Sequence, residues 1–373
     1  MGLRSFWKQT DQVYLFQNYN YDETAYVQDN GLSQSSHVNE NVNAAYVTYS
    51  SRLPHNINYQ LGLRMEESSL DGISRLDSTP NFGYNFGLNS KTKFLDLFFP
   101  SLFISKKIDD NNEIGFNISR KIGRPNFFQL MPGVRGSDKQ NITIGNTGLQ
   151  PEFTNKAEVN YNKIFGSNNW LTSIYASLED NTIKPFTTPS LTDPNVLVTT
   201  FVNGKSEFIY GLDNTLKLGF GKNLEVTANV NIFNFSVTVD TFSNKFWTGN
   251  GKIGLTYHLP ANWTVQINGN YQGKRPQAQG YNKAVAFMDF AVKKSFFHNA
   301  ANLTFLVSDV FDSRKDVSVY EVGNFYQETM RRRDMRFFKI SLQMPFGSPD
   351  ASLFKKRDKK GQDDQQGGMQ DGQ

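Results

Sequence analysis

The feature that most constrains this chain is strict two-residue alternation, repeated in segment after segment. Ile114, Phe116 and Ile118 alternate with Gly115, Asn117 and Ser119, and Ala157, Val159 and Tyr161 with Lys156, Glu158 and Asn160. The same pattern runs through Tyr59–Met65, Leu216–Phe220, Ile253–Leu259, Trp263–Tyr271 and Phe338–Phe346. Period two places apolar groups on one face of a sheet and polar groups on the other. Each apolar set is close to the roughly 9–11 residues that a tilted strand needs to cross a bilayer. One segment changes phase: Val226, Ala228, Val230 and Ile232 give way to Phe233, Phe235, Val237 and Val239. A β-bulge near Ile232, or curvature at a rim, would produce that change.

The connections are sorted by length. Short polar turns fall at 109–112, 166–169, 221–223, 260–262 and 297–300, with long connections between them at about 121–152, 180–205, 237–250, 273–283 and 311–331. Upstream, 21–37 (long), 51–56 (short) and 67–92 (long) keep the rhythm. The first strand is expected near Val13–Tyr19 and the last over Arg336–Phe346, which puts both termini on the short-turn side. A soluble sandwich has no reason to segregate its loops by length. An outer-membrane barrel does, with tight periplasmic turns and long extracellular loops. The expected fold is therefore an all-β, transmembrane, antiparallel up-and-down β-barrel of about 14 strands. A soluble all-β binding module is the competing fold.

Composition agrees. Mean hydropathy is −0.52, which is compatible with a barrel because only alternate side chains meet lipid. No apolar run reaches the ~18 residues of a transmembrane helix. Cysteine is absent, which removes disulfides, thiolate metal sites and cysteine nucleophiles. A net charge of +4 spread along the chain leaves no footprint for nucleic acid. Trp7, Trp170, Trp247 and Trp263 fall near expected strand ends, where an aromatic belt would lie. The first ten residues, MGLRSFWKQT, lack the apolar core of a secretory signal. The barrel is expected over 1–347, followed by a polar, glycine-rich tail over 348–373 that is too hydrophilic to offset chain entropy.

Chemistry-bearing motifs are few. Gly249–Gly254 fits G-x-G-x-x-G but leads into a strand, so a loop tip is the better account. Asp109–Glu113 lacks the glycine and spacing of a calcium loop and reads as a hairpin turn. The histidines at 37, 55, 258 and 298 are scattered, and no G-x-S-x-G element occurs. No catalytic, metal or cofactor site is expected, and the chain reads as a non-enzyme. Two basic groups stand out as ligand or lipid-headgroup contacts: Arg135 and Lys139 in the longest loop, and Arg331, Arg332 and Arg333 before the last strand.

That longest loop also carries an ordered set of residues: Arg120, Arg124-Pro125, Leu130, Pro132, Gly145-Asn146, Leu149 and Pro151-Glu152, with Glu158 and Tyr161 on the strand beyond. Proline and Gly-Asn elements restrict backbone geometry, so these residues are expected to shape the loop. Together with Asn41–Tyr46, Gly62–Glu66, Lys294–Phe296, Val307–Phe311 and Arg336–Gly347, the set resembles the barrel of the TonB-dependent receptor family, in its outer-membrane β-barrel branch. Thr147-Gly148 stands where that family commonly has proline after Gly-Asn. The resemblance implies the C-terminal portion of a barrel of about 22 strands and uptake of a bulky nutrient. Its implied partners are outer-membrane lipid, the barrel-assembly machinery and, through a plug domain, a TonB-type energy-coupling protein. A passive, porin-like or structural barrel is the alternative.

Overall fold

The computed structural model describes residues 1–344 apart from 31–32, 75–80, 136–139, 298–299, 323–324 and 333–334. Fourteen strands follow one another in an antiparallel path. They are β1 (Gly2–Tyr14), β2 (Gln34–Leu53), β3 (Ile57–Ser74), β4 (Phe98–Lys107), β5 (Asn112–Gly123), β6 (Glu152–Phe165) and β7 (Asn168–Asp180). The path continues through β8 (Ser206–Phe220), β9 (Leu224–Val239), β10 (Phe242–Leu259), β11 (Trp263–Gln272), β12 (Val285–Phe296), β13 (Ala301–Ser308) and β14 (Phe337–Gln343). A fifteenth strand, Phe82–Phe86, pairs with the far end of β3. This is the wall of a transmembrane β-barrel. No helix among the described residues is long and apolar enough to cross a membrane.

The short-turn rim is built from tight hairpins. His55-Asn56 and Ala261-Asn262 hold paired positive φ, at 65° and 59° and at 58° and 60°. That is the geometry whose twist matches the right-handed twist of the strands it joins. Strand β14 ends beside Asn302 at this rim, whereas β1 starts beside Tyr46, part-way along β2 and short of its turn. Four expectations are corrected. The first strand is Gly2–Tyr14, not Val13–Tyr19. The stretch 237–250 is no long connection, because β9 and β10 run on and turn at Asp240-Thr241 alone. Gly249–Gly254 lies inside β10 and not at a loop tip, and Trp7 is in mid-β1.

The alternation sets the two faces. Ile118, Val159, Ile174, Leu212, Val230, Ile253, Leu303 and Ile340 are all exposed on the outside. Their inward neighbours include Lys156, Tyr175, Asn231, Asn250 and Lys252, which line the lumen. From Leu224 to Ile232 the outward positions of β9 are apolar, a span that fits the ~25 Å band of an outer-membrane barrel.

Above that band the polarity inverts without a bulge. Register is unbroken from Ser206 opposite Thr238 to Phe220 opposite Leu224, and from Leu224 opposite Tyr257 to Val239 opposite Phe242. Ile232 is 51% exposed, while Val237 is 1% exposed. The expected bulge is therefore absent. Past Ile232 the strand leaves lipid, and its inner face packs on protein instead: Phe235, Val237, Val239 and Ala278 form a core with Phe186, Val202, Ile209 and Phe233. Burying an aliphatic side chain there contributes about 1.5–3 kcal/mol. Tyr210 and Trp247, opposite Asn234 on either side, meet edge to face at 5.5 Å and mark the boundary. Aromatic residues favour that apolar–aqueous interface. Trp170 and Trp263 lie at the opposite rim, on the first residues of β7 and β11.

Candidate functional site

The long connections fold into caps. Val134-Arg135, Asn141–Ile144, Leu197–Asn203 and Ile183–Pro189 form one four-stranded sheet. Arg275–Gln277, Gly280–Asn282, Asp316–Val322 and Phe325–Arg331 form another. Between these caps and the wall strands β6 to β12 lies a cavity of about 1550 Å³. Its surface is mostly amides and hydroxyls (Asn231, Asn250, Asn270, Gln272, Thr187, Thr248), with Tyr175, Tyr271 and Tyr320 among them. Charged groups of both signs face it, and several are already paired: Lys184 with Glu207, and Lys283 with Glu328 at 2.8 Å. On the wall, burial and the neighbouring Glu207 act on Glu179 in the same sense, against Lys184, and raise its pKa. Among the described residues no cluster of three metal-ligating side chains occurs. The arrangement can hold a large, hydrophilic solute by many hydrogen bonds.

A matching protein-family model spans residues 1–343, under the description "Outer membrane protein beta-barrel family". The chain belongs to that family. A search of curated proteins finds no match. Solved structures with a similar fold include the ferric yersiniabactin uptake receptor FyuA from Yersinia pestis, with a TM-score of 0.56 and 12% identity over 91% of this chain and 49% of that one. The copper transporter OprC is similar at TM-score 0.59 and 11% identity, covering 92% of this chain and 54% of that one. The siderophore receptor PirA from Acinetobacter baumannii gives 0.55 and 12%, covering 92% and 60%. These likenesses concern the fold, which is that of TonB-dependent receptor barrels. The chain spans between 49% and 60% of the length of these three structures.

In this family member the long loop between β5 and β6 is anchored by its own residues and by partners on neighbouring connections. Asn126 caps the helical turn Phe127–Leu130: its side chain accepts from the Gln129 amide, and the Gln129 side chain accepts from the Asn126 amide, both at 3.0 Å. This reciprocal arrangement satisfies two otherwise orphaned donors. Leu130 and Leu149 are fully buried, together with Met131, in the core under the loop. Gly145 donates to the Met131 carbonyl at 3.0 Å, and a Cβ at this position would lie 2.2 Å from that oxygen. The Asn146 side chain donates to the Phe201 carbonyl at 2.8 Å and accepts from the Gly148 amide at 2.9 Å. Pro151 and Glu152 tie the loop to the next cap: the Pro151 carbonyl accepts from Asn181, and Glu152 from the Ile183 amide, each at 2.8 Å. Pro125 is buried beside Arg124, and Pro132 is half-buried after Met131.

The arginines of the motif divide. Arg124 is ion-paired with Glu66, which also pairs with Arg64 and is only 1% exposed. Burial and repulsion from Arg64 pull the Arg124 pKa below its ordinary value. Arg120 pairs with Asp96 at 2.9 Å and lies 4.8 Å from the centroid of the Phe153 ring. Glu158 pairs with Lys156 at 2.7 Å, and the Tyr161 hydroxyl donates to Asn112 at 2.5 Å. Arg135 is half-buried with its guanidinium 5.6 Å from the Phe128 ring centroid. Arg331 lines the cavity, and Arg332 pairs with Asp312. Lys139, Arg333, His298 and the tail at 348–373 lie outside the described residues. Sequence reasoning missed Glu207 and Gln279, and it had Glu66 only within the Gly62–Glu66 family match, without its partners. Nothing local identifies the buried partner of a charged or amide residue.

Proposed function

We propose that this chain is the barrel portion of a TonB-dependent-receptor-like importer of a bulky nutrient, with the capped cavity as the place where cargo is first held. The observation that carries the reading is the roofed, polar cavity of about 1550 Å³ on the long-loop side. It is large enough for a sizeable solute and is lined for hydrogen bonding. Arg331, on the cavity wall, and Arg135, under the loop, are the candidate contacts for cargo or headgroups, and the basic run extends to Arg332 and Arg333. Both termini would lie in the periplasm, a reading supported by the end of β14 beside Asn302 at the short-turn rim. Outer-membrane lipid surrounds the apolar band, and the barrel-assembly machinery inserts the chain. A TonB-type energy-coupling protein would drive passage only by acting on a plug in the lumen. The chain carries out no covalent chemistry.

The test is accumulation of labelled iron chelates and oversized labelled oligosaccharides by cells with and without the gene. A protonophore is applied in parallel. Uptake that needs both the gene and the proton-motive force supports the importer. Gene-dependent uptake indifferent to the protonophore makes the barrel a passive pore.

A further inference from the structure

Each cap sheet has two edge strands, and three of the four are blunted. Along Ile183–Pro189 the Ile183 amide donates to Glu152 at 2.8 Å, and the amide and carbonyl of Thr187 bond to the Gln279 side chain at 2.7 and 2.9 Å. Pro185 and Pro189, on the same side of that strand, carry no N–H. At Val134-Arg135 the Val134 carbonyl accepts from Gln34. At Arg275–Gln277, Pro276 has no N–H and the Gln277 carbonyl accepts from Asn244 at 2.6 Å. Prolines and covering groups are how sheets keep a free edge from recruiting another strand. The fourth edge, Phe325–Arg331, has neither. It pairs only with Asp316–Val322. The Lys283 amide donates to the Val317 carbonyl and the Glu321 amide to the Gln279 carbonyl, both at 2.9 Å, so residues 317, 319 and 321 turn their backbone groups away from Phe325–Arg331. Residues 316, 318, 320 and 322 then bond to Arg331, Thr329, Gln327 and Phe325, and the amides and carbonyls of Tyr326, Glu328 and Met330 point off the sheet. Among the described residues nothing bonds to them. Tyr326 is 61% exposed and Met330 59%, while Glu328 and Met330 line the cavity. The Gln327 side chain donates to Asn141 of the other cap at 3.0 Å and fixes the edge beside the cavity.

We propose that this open edge docks a short peptide in extended form, which adds to the cap sheet as a fifth strand and is the cargo held in the cavity. Three N–H and three C=O groups repeating at every second residue complement the backbone of another strand, and a glycan's hydroxyls do not repeat with that period. The edge is about 20 Å long at ~3.3 Å per residue. The cavity of about 1550 Å³ beside it takes a short peptide rather than a folded partner. Main-chain hydrogen bonds hold a peptide with little regard to its sequence, which suits a nutrient supplied as a mixture. The inference names the cargo of the importer proposed above and rests on that reading for the peptide's fate, whereas its test reads binding alone.

The full chain is folded into lipid nanodiscs, immobilised, and offered a fluorescein-labelled pool of random-sequence peptides about as long as the edge. The same pool with every second amide N-methylated keeps its side chains and loses the donors of one edge, and labelled maltoheptaose is the non-peptide control. The plain pool should be retained, and the methylated pool and maltoheptaose roughly tenfold less, the scale set by losing two hydrogen bonds. Glu328→Pro removes the central outward N–H and spares the ladder to Asp316–Val322, so it should lower retention of the plain pool roughly fivefold. Glu328→Gln keeps that N–H, loses only the ion pair with Lys283, and should retain the pool as the native chain does. Met330→Pro against Met330→Ala repeats the comparison should Glu328→Pro fail to form a heat-modifiable barrel. No retention of the plain pool, equal retention of both pools, retention of maltoheptaose in place of peptide, or proline variants that bind like their controls overturns the docking edge. Energised uptake without peptide retention would sink this inference alone, and peptide retention by a passive pore would sink the importer alone.

Discussion

Strand β9 passes through two environments, and its halves obey opposite rules. From Leu224 to Ile232 the apolar side chains point outward and the inner positions, Thr227, Asn229 and Asn231, are polar. From Phe233 to Val239 the apolar side chains point inward onto the cap core, and the outward positions, Asn234, Ser236 and Thr238, are polar. The backbone ladder is continuous across the change. In the lower half the apolar solvent is outside, in the upper half it is the protein's own interior. A strand has no preferred inside of its own; it takes the one its surroundings supply. The seven residues from Phe233 to Val239 therefore belong to a small water-facing sandwich grown on the rim of a membrane barrel.

That contrast can be broken at several points. The largest expected effect is Glu66→Ala. If the rim is a protein core in the ordinary sense, removing this carboxylate strands Arg64 and Arg124 and costs about 3–5 kcal/mol, seen as a lower urea midpoint for the barrel folded into vesicles. Next comes Val230→Arg, a charge on the outer face within the lipid band, expected to cost about 2–4 kcal/mol in the same titration. Val237→Ala should cost about 1–3 kcal/mol by opening a void in the cap core, and should act in detergent micelles as well as in lipid. Ser243→Arg, the same substituent as at Val230 but on the exposed outer part of β10, should stay within about 0.5 kcal/mol. Equal costs for Val230→Arg and Ser243→Arg would mean that lipid does not end near Ile232, and the two-environment account would fall.

Much of the wall was legible before any coordinates. Alternation at Ile114–Ile118 and Ala157–Tyr161 identified paired strands because side-chain direction is fixed by backbone geometry alone. The phase change after Ile232 was equally visible, but its cause was not. A bulge and a change of surroundings write the same pattern into a sequence, and only the unbroken register with β8 and β10 separates them. The run 237–250 was misread for a related reason: polar residues on an emergent strand look like loop. The loop motif was legible as turn chemistry at Pro125, Gly145-Asn146 and Pro151. Its anchors at Phe201, Asn181 and Ile183 were not, because those partners lie on connections elsewhere in the chain.

By itself the sequence determined the all-β class, the alternation of apolar and polar faces, the sorting of turns and loops to opposite rims except at 237–250, and the absence of cysteine chemistry. These follow from local geometry and composition, which act residue by residue. Tertiary structure alone decided which long connections form caps, that Glu66 receives Arg124, and that Gln279 closes on Thr187 across 92 residues. Such contacts depend on where the wall brings its loop ends together, and no short stretch of chain encodes that distance.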